Sequence, residues 1–522
     1  MPLLSHRILC RSPRRGVIYD LYRQHGRSSR RCFTVVTSRT YEDAVDLLNT
    51  LQTPFGVLKQ RRDAGIGLDE SAKVEMRKCL DQIGYSQRDL DTLNVIHVAG
   101  TKGKGSTCAL VDSILSKYRK SHQIPRSVGL FTSPHLIAVR ERIRINSVPI
   151  SKQLFAKYFF EVWDRLDAAS ASSSDLPSPK PVYFRYLTLM SYHVFLQEGI
   201  DAAIYEVGMG GEFDSTNIAD RPAVIGISTL GIDHVAVLGK TIEEIAWHKA
   251  GIQKTGVPSF TVKQIPAALK VIQDRAKERN VESLAVLEED PRLQSVRIRP
   301  NASFQRLNAT LAVALAETAL QKLDSTFETP STALPKEFVD GLENVIWRGR
   351  CEVKTEGNVT WYLDGAHTQD SISIAAKWFG DESLEKPGTR VLIFNQQGDR
   401  AAMELLEGLF QAITTQGFAL FNHVIFCPTV PLDKVGKRDS IIHPIDSAAM
   451  AGMETQKNFA RRWRELDTSP STAIKVLPSV EDAVEYVRIL DQHDHGKVHA
   501  FITGSVHLVG RTLGILEGVE AL

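Results

Sequence analysis

From about Tyr41 onward, short runs of β-branched and apolar residues alternate with longer stretches whose apolar positions recur every three or four residues. That alternation predicts an α/β protein with a largely parallel sheet, because parallel neighbours need a crossover between them, usually a helix. The predicted strands of a first unit are 93–99 (LNVIHVA), 127–132 (SVGLFT), 202–207 (AAIYEV), 223–228 (AVIGIS) and 258–262 (PSFTV). A helix is predicted over 308–323, with Asn308 as its cap. The Ser-, Thr- and Pro-rich stretch 324–337 reads as the approach to a boundary. Beyond it, predicted strands at 359–365, 389–395, 423–428, 473–478 and 499–504 form a second, smaller Rossmann-like unit. The domain reading is a basic tail over 1–40, a first domain over 41–345 and a second over 346–522. Within the first, the low-complexity stretch 168–181 (AASASSSDLPSPKP) reads as a flexible surface insertion.

Charge changes this picture at one end only. Residues 1–39 hold nine arginines and one acid, Asp20, which leaves −6 on the rest of a chain whose formal charge is +2. A general nucleic-acid-binding surface on the folded body is therefore not expected. An Arg-rich, Ser-containing, acid-poor N-terminus fits a mitochondrial transit peptide, and a basic tail that targets nothing has the same composition. The expected locations are the mitochondrion (inner membrane or matrix) and the cytoplasm. No apolar run approaches the ~20 residues needed to span a bilayer. Six scattered cysteines without a C-x-x-C pair read as reduced thiols.

The segment NVIHVAGTKGKGSTCALVDSIL (94–115) carries the first chemistry. A strand ends at Ala99, a glycine-rich turn follows, and a helix starts near Lys104. Glycines let backbone N–H groups approach oxyanions, a helix N-terminus favours negative charge, and a lysine neutralises phosphates. The candidate phosphate loop is Gly100, Thr101, Lys102, Gly103, Lys104, Gly105 and Ser106. It departs from G-x-x-x-x-G-K-[ST], because Gly105 separates the lysine from the hydroxyls. Phosphate chemistry calls for a metal and hard ligands near other strand ends. Ser133, Glu206 and His234 stand at such ends. Taken singly, each reads better as a turn serine, a solvated acid or a capping or core histidine. Lys249, in TIEEIAWHKAGIQK, reads as a solvated lysine on the polar face of a helix capped near Thr241.

HVAGTKGKGST resembles the ATP loop of folylpolyglutamate synthases, members of the Mur ligase superfamily, and the likeness runs through EVGMGG, GIDHVAVLG, FTSPHL, YLDGAHT and ITGSVHLVG. In that family the interrupted Lys-Gly-Ser order is the usual form. The resemblance implies a Mur-ligase-like N-terminal P-loop ATPase domain with a parallel-rich sheet and a smaller Rossmann-like C-terminal domain. It implies ATP and Mg²⁺, with two metal ions held through Ser133, Glu206 and His234, a monovalent cation such as K⁺, and a carbamylated Lys249. It implies further that Asn308 contacts adenine, that Arg350 reaches the phosphates from the linker, and that Asp364 and His367 serve the nucleotide and the incoming amine. Lys104, Lys249, Arg350, Asp364 and His367 form the implied catalytic set. For the folate, Phe184 would pack on the pteridine and Asp214 would hydrogen-bond it, and Ser505 is associated with the glutamate site. Bacterial relatives usually read Tyr-Phe-Glu where this chain has Arg185, so the pterin contacts carry over less directly.

The implied activity is an ATP-dependent, ADP-forming ligase adding L-glutamate to tetrahydrofolate and its polyglutamates through γ-linked amides, by way of an acyl phosphate, in a protein expected to be monomeric. Dihydrofolate synthase, joining dihydropteroate to glutamate, uses the same machinery. A nucleotide-dependent switch that ligates nothing would leave the second domain's motifs unexplained.

Overall fold

The computed structural model describes residues 39–54, 56–57, 60, 69–172, 180–396, 401–429, 453–494 and 496–522. The Arg-rich tail lies outside them. Residues 39–522 form one compact unit built on two sheets. Of the strands, β1 is Ile96–Ala99, β2 Val128–Phe131, β3 Ile143–Ile145, β4 Val148–Pro149, β5 Ala202–Glu206, β6 Val224–Ile227, β7 Pro258–Val262 and β8 Ser283–Leu287. They are ordered β4-β3-β2-β5-β1-β6-β7-β8, and all pairs are parallel except β2–β3 and β3–β4. β1, β2, β5 and β6 are buried throughout, as expected of strands covered on both faces.

β1 lies between β5 and β6, so the chain leaves it in one direction and returns on the other side. That reversal opens a crevice at the carboxyl ends of the strands, the usual ligand position in such sheets. The helix Lys104–His122 starts there, and its apolar side packs with the helix Ser303–Leu323 in one core cluster under β1.

The second sheet uses β9 Glu352–Glu356, β10 Val359–Leu363, β11 Thr389–Phe394, β12 His423–Phe426, β13 Ala473–Val476 and β14 Val498–Thr503. Its order is β13-β12-β11-β14-β10-β9, parallel except for β9–β10. The loop after β2 docks into this half. Leu136 and Ile137 pack against the core beneath β14, and Arg144 Nη2 donates to the Leu522 carbonyl at 2.6 Å.

Several local expectations are corrected. The helix predicted from Asn308 begins at Ser303, with Ala302 as its cap, so Asn308 sits inside it. The stretch 168–172 continues the helix Lys152–Ser172, because Ala and Ser there do not oppose helix formation; 173–179 lie outside the described residues. The boundary stretch 324–337 runs into the helix Lys336–Glu343, which packs on the phosphate-loop helix, with Ser113 Oγ donating to the Gly341 carbonyl at 2.8 Å. β3, β4, β8 and β9 carry no strong apolar alternation and were not predicted. Cys79, Cys108, Cys351 and Cys427 are free thiols, as expected.

Candidate active site

The phosphate loop is held by its neighbour across the crevice. Thr101 N and Lys102 N both donate to the Thr229 carbonyl at 3.0 Å, and Ser228 Oγ donates to the Lys102 carbonyl at 2.7 Å. Those two amides are therefore committed to the protein. Gly103, at φ +82°, caps the helix Lys104–His122, whose first turn receives no side-chain cap. The helix N-terminus is thus free to take oxyanions. A β-carbon at Gly103 would overlap the Asn308 side chain, and one at Gly100 would overlap Ser228, so the loop admits only glycine at both positions.

Around this loop the structure gathers most of the predicted set. Glu206, at the end of β5, is 5% exposed and accepts the Ser133 N–H at 3.0 Å. Burial pushes its carboxyl up, against the charges of Lys104, Arg350 and Arg142. A β-carbon on Gly105 would stand 3.4 Å from both Glu206 oxygens, which places the carboxylate over the first turn of the phosphate helix. Lys249 is 2% exposed, and its Nζ donates to the Gly100 carbonyl at 2.8 Å. This corrects the solvated-lysine reading, since Lys249 lies on the buried side of its helix with Ile245, Ala246 and Ala250, away from the exposed Glu243 and Glu244. Burial and the nearby Lys104 bring the Lys249 amine down to about 7.

His234 caps the turn Val235–Leu238 with φ +52° and is exposed. Desolvation against the surrounding protein, reinforced by Lys249, Lys104 and His367 against Asp233, holds its imidazole below the ordinary value. Among the described residues, no three His, Cys, Asp or Glu side chains form a ready metal cluster.

Lys102 does not face the crevice as Lys104 does. Its Nζ donates to Thr368 Oγ1 at 2.7 Å and lies 3.6 Å from Asp233, so it bridges the two halves. Arg350 Nη1 donates to the Gly349 carbonyl at 3.0 Å, and its charge acts on Glu206, Asp364 and His367 together. Asp364 accepts Cys351 N at 2.8 Å and Ala366 N at 2.9 Å, while burial pushes its carboxyl up. His367 is exposed, with Nδ1 3.1 Å from the Gly365 carbonyl. Ser505 caps the helix Val506–Glu517 without a side-chain capping bond, so its hydroxyl is not spent on the helix.

At the other end of the crevice, the Phe184 ring lies 5.9 Å from Phe131 and covers Gly208. Asp214 is 6% exposed, and its carboxylate accepts the amides of Met209 and Thr216 at 2.9 Å, so it staples its own loop. Arg185 pairs with Glu75.

Whole-chain comparison matches the folylpolyglutamate synthase of Neurospora crassa, 56% identical over 495 residues and covering 93% of each chain. That of Candida albicans is 41% identical over 505 residues, covering 92% of this chain and 96% of the other. The chain belongs to the folylpolyglutamate synthase family. No family model matches it. Solved structures share the fold. Mycobacterium tuberculosis folylpolyglutamate synthase complexed with ADP and AMPPCP gives a TM-score of 0.65 at 24% identity, covering 86% of this chain and 96% of that one. E. coli FolC in complex with DHPP and ADP gives 0.64 at 20%, covering 92% and 98%. The expected two-domain Mur-ligase-like architecture is thus the architecture observed.

Sequence reasoning missed several residues that complete this family's crevice here. Trp347 is one, its ring 3.1 Å from where a Gly105 β-carbon would stand. Its place three residues before the predicted linker arginine, Arg350, was the available signal. Ser228 and Thr229 are others, with no motif of their own, and Asp233 is a third, beside His234 in GIDHVAVLG.

Proposed function

We propose that this chain ligates L-glutamate to the γ-carboxylate of tetrahydrofolate and its polyglutamates, forming ADP and phosphate. The observation that carries the reading is a phosphate-loop helix without a side-chain cap facing a buried carboxylate, Glu206, that has no ion-pair partner among the described residues, with Arg350 acting on both halves of the site. The loop binds ATP, and Lys104 together with Arg350 spreads the charge that develops as the γ-phosphoryl group passes to the folate carboxylate. The acyl phosphate formed is then attacked by the amine of glutamate, held near His367 and Ser505, and phosphate leaves. The Lys102–Thr368 bridge and the docked loop after β2 favour exclusion of water during that transfer.

Mg²⁺ fits the donor set. Glu206 is a buried carboxylate without an ion-pair partner among the described residues, Ser133 is beside it, and His234 is held towards its neutral, ligating form. Bound there, the ion would screen the ATP phosphates. Lys249 fits carbamylation, because an amine near 7 is largely available in the neutral form that adds CO₂. A K⁺ ion is proposed from family resemblance alone, and so is a monomeric state. The arginine-rich N-terminus supports a mitochondrial pool beside a cytoplasmic one, tested by locating fluorescent fusions with and without residues 1–39.

The test of the reaction is ADP release with Mg·ATP and L-glutamate, comparing tetrahydrofolate with dihydropteroate and following product mass. Successive glutamyl additions to tetrahydrofolate are expected, abolished in Lys104→Ala. Extension of dihydropteroate alone would replace this substrate assignment with dihydrofolate synthesis.

A further inference from the structure

Arg142 lies where β3 begins, its carbonyl accepting the Thr132 N–H at 3.0 Å, one residue from Ser133. The side chain is 5% exposed. Its Nε donates to His135 Nδ1 at 2.9 Å, and among the described residues this is the guanidinium's only hydrogen bond. A guanidinium offers five N–H donors, so the four on its η nitrogens are left for something else. Burial pulls its pKa down, and the groups whose charges oppose this are Tyr183, then Glu206 and Glu141. Neither carboxylate forms an ion pair with it among the described residues. Glu206 takes the Ser133 amide, and Glu141 takes the amides of Leu136, Ile137, Ala138 and Leu522. A buried cation without a paired anion is costly unless a ligand supplies one.

The position indicates which anion. Arg142 stands 5.7 Å from the Tyr183 ring, beside Phe184, and it feels Glu206, so it lies between the aromatic wall and the phosphate-transfer edge. An acceptor ending in glutamate brings two carboxylates on one short stem. The γ group must face the phosphate loop and Lys104. The α group never reacts, stays charged and is buried with its neighbour, so it needs a cation close to, but not at, the reacting centre. A planar guanidinium fork suits it bidentately. Resting on the folate-ligase reading above, we propose that Arg142 binds the α-carboxylate of the acceptor's terminal glutamyl residue. Each γ-linked addition regenerates the same α and γ pair at the new terminus, so one arginine serves every cycle.

The experiment uses the full chain with two acceptors, tetrahydrofolate and its terminal α-amide with the γ-carboxylate free. In the wild type the α-amide should raise KM about ten- to hundredfold, the worth of a charge-assisted pair. Arg142→Gln should raise KM for the natural acceptor by a similar factor and bring discrimination between the two within about twofold, with AMPPCP affinity little changed. Arg142→Lys should retain part of it. A Gln variant that still discriminates fully, or a wild type that does not discriminate, would overturn the proposal. The wild-type comparison needs no variant, so a poorly folding Arg142→Gln leaves the test standing. If neither acceptor is turned over, the ligase reading fails, and equilibrium binding of the two acceptors still decides the role of Arg142.

Discussion

Glu206 and Glu212 are buried glutamates on the same segment, six residues apart, and they do opposite things. Glu212 is bound by Lys73 at 3.2 Å, by Arg279 at 2.7 Å and by Arg275. Burial pushes it up, but Arg279, Lys73 and Arg275 overcome that and hold its carboxyl below the usual value. Glu206 has one amide donor and no ion pair among the described residues, and burial wins. The first carboxylate ties the glycine turn after β5 to two helices. The second is kept charged-side-open toward the phosphate loop. A buried acid whose partners are all protein is architecture, whereas one left short of partners at a strand end is reserved for a ligand.

The contrast breaks most visibly in catalysis. Glu206→Gln should lower ligation at least about a hundredfold, the scale for losing one preorganised electrostatic group, while urea unfolding shows no loss of stability. A stability loss comparable to that of Glu212 variants would erase the distinction. Glu212→Ala should instead cost about 3 kcal/mol, because Lys73 and Arg275 lose their one buried carboxylate and keep only the exposed Glu70 and Glu278; intact stability in chemical denaturation would sink that assignment. Acid titration separates the pair further. Glu212, with its lowered pKa, contributes stability above the ordinary carboxylate range that is lost as pH falls through its folded value. Glu206, raised when folded, costs stability at neutral pH, so the advantage of Glu206→Gln should shrink as pH falls through the folded value and be gone below the unfolded one.

Lys249 sharpens the same idea on the basic side. Its amine is near 7 when folded and 10.5 when free, so the unfolded chain binds more protons between those values and stability should rise with pH across that window. Lys249→Met should flatten that slope in CO₂-free buffer, as read from unfolding midpoints between pH 7 and 10; an unchanged slope would contradict the lowered amine. The smallest effect belongs to Lys102, whose ammonium is satisfied by Thr368 and Asp233 rather than by phosphate. Lys102→Met should cost a few-fold in turnover, as expected for a partly exposed contact, with AMPPCP affinity held; a loss as deep as that of Lys104→Ala would make it a phosphate ligand.

Much of this was legible beforehand where chemistry is local. The Gly100–Ser106 turn announces itself because a strand, glycines and a helix start must be contiguous to cradle a phosphate, and β7 was bounded correctly by its apolar run and flanking turns. The burial of Lys249 was not legible because it is the one charged residue on a helix side otherwise made of Ile245, Ala246 and Ala250, and amphipathic patterning assigns a lysine to the exposed side. Asn308 was misplaced because its favourable cap chemistry is outweighed by five preceding residues that pack as helix. Arg142 carried no spacing signal, since its role depends on partners brought from elsewhere in the chain.

The sequence alone determined the alternation of strands and crossovers, the phosphate loop and the likeness to a ligase family, because those follow from residues adjacent along the chain. Only the tertiary structure decided which charges are matched. Whether a glutamate or an arginine is spent on protein or held for a ligand depends on burial and on partners from distant segments, and desolvation has no counterpart in sequence order.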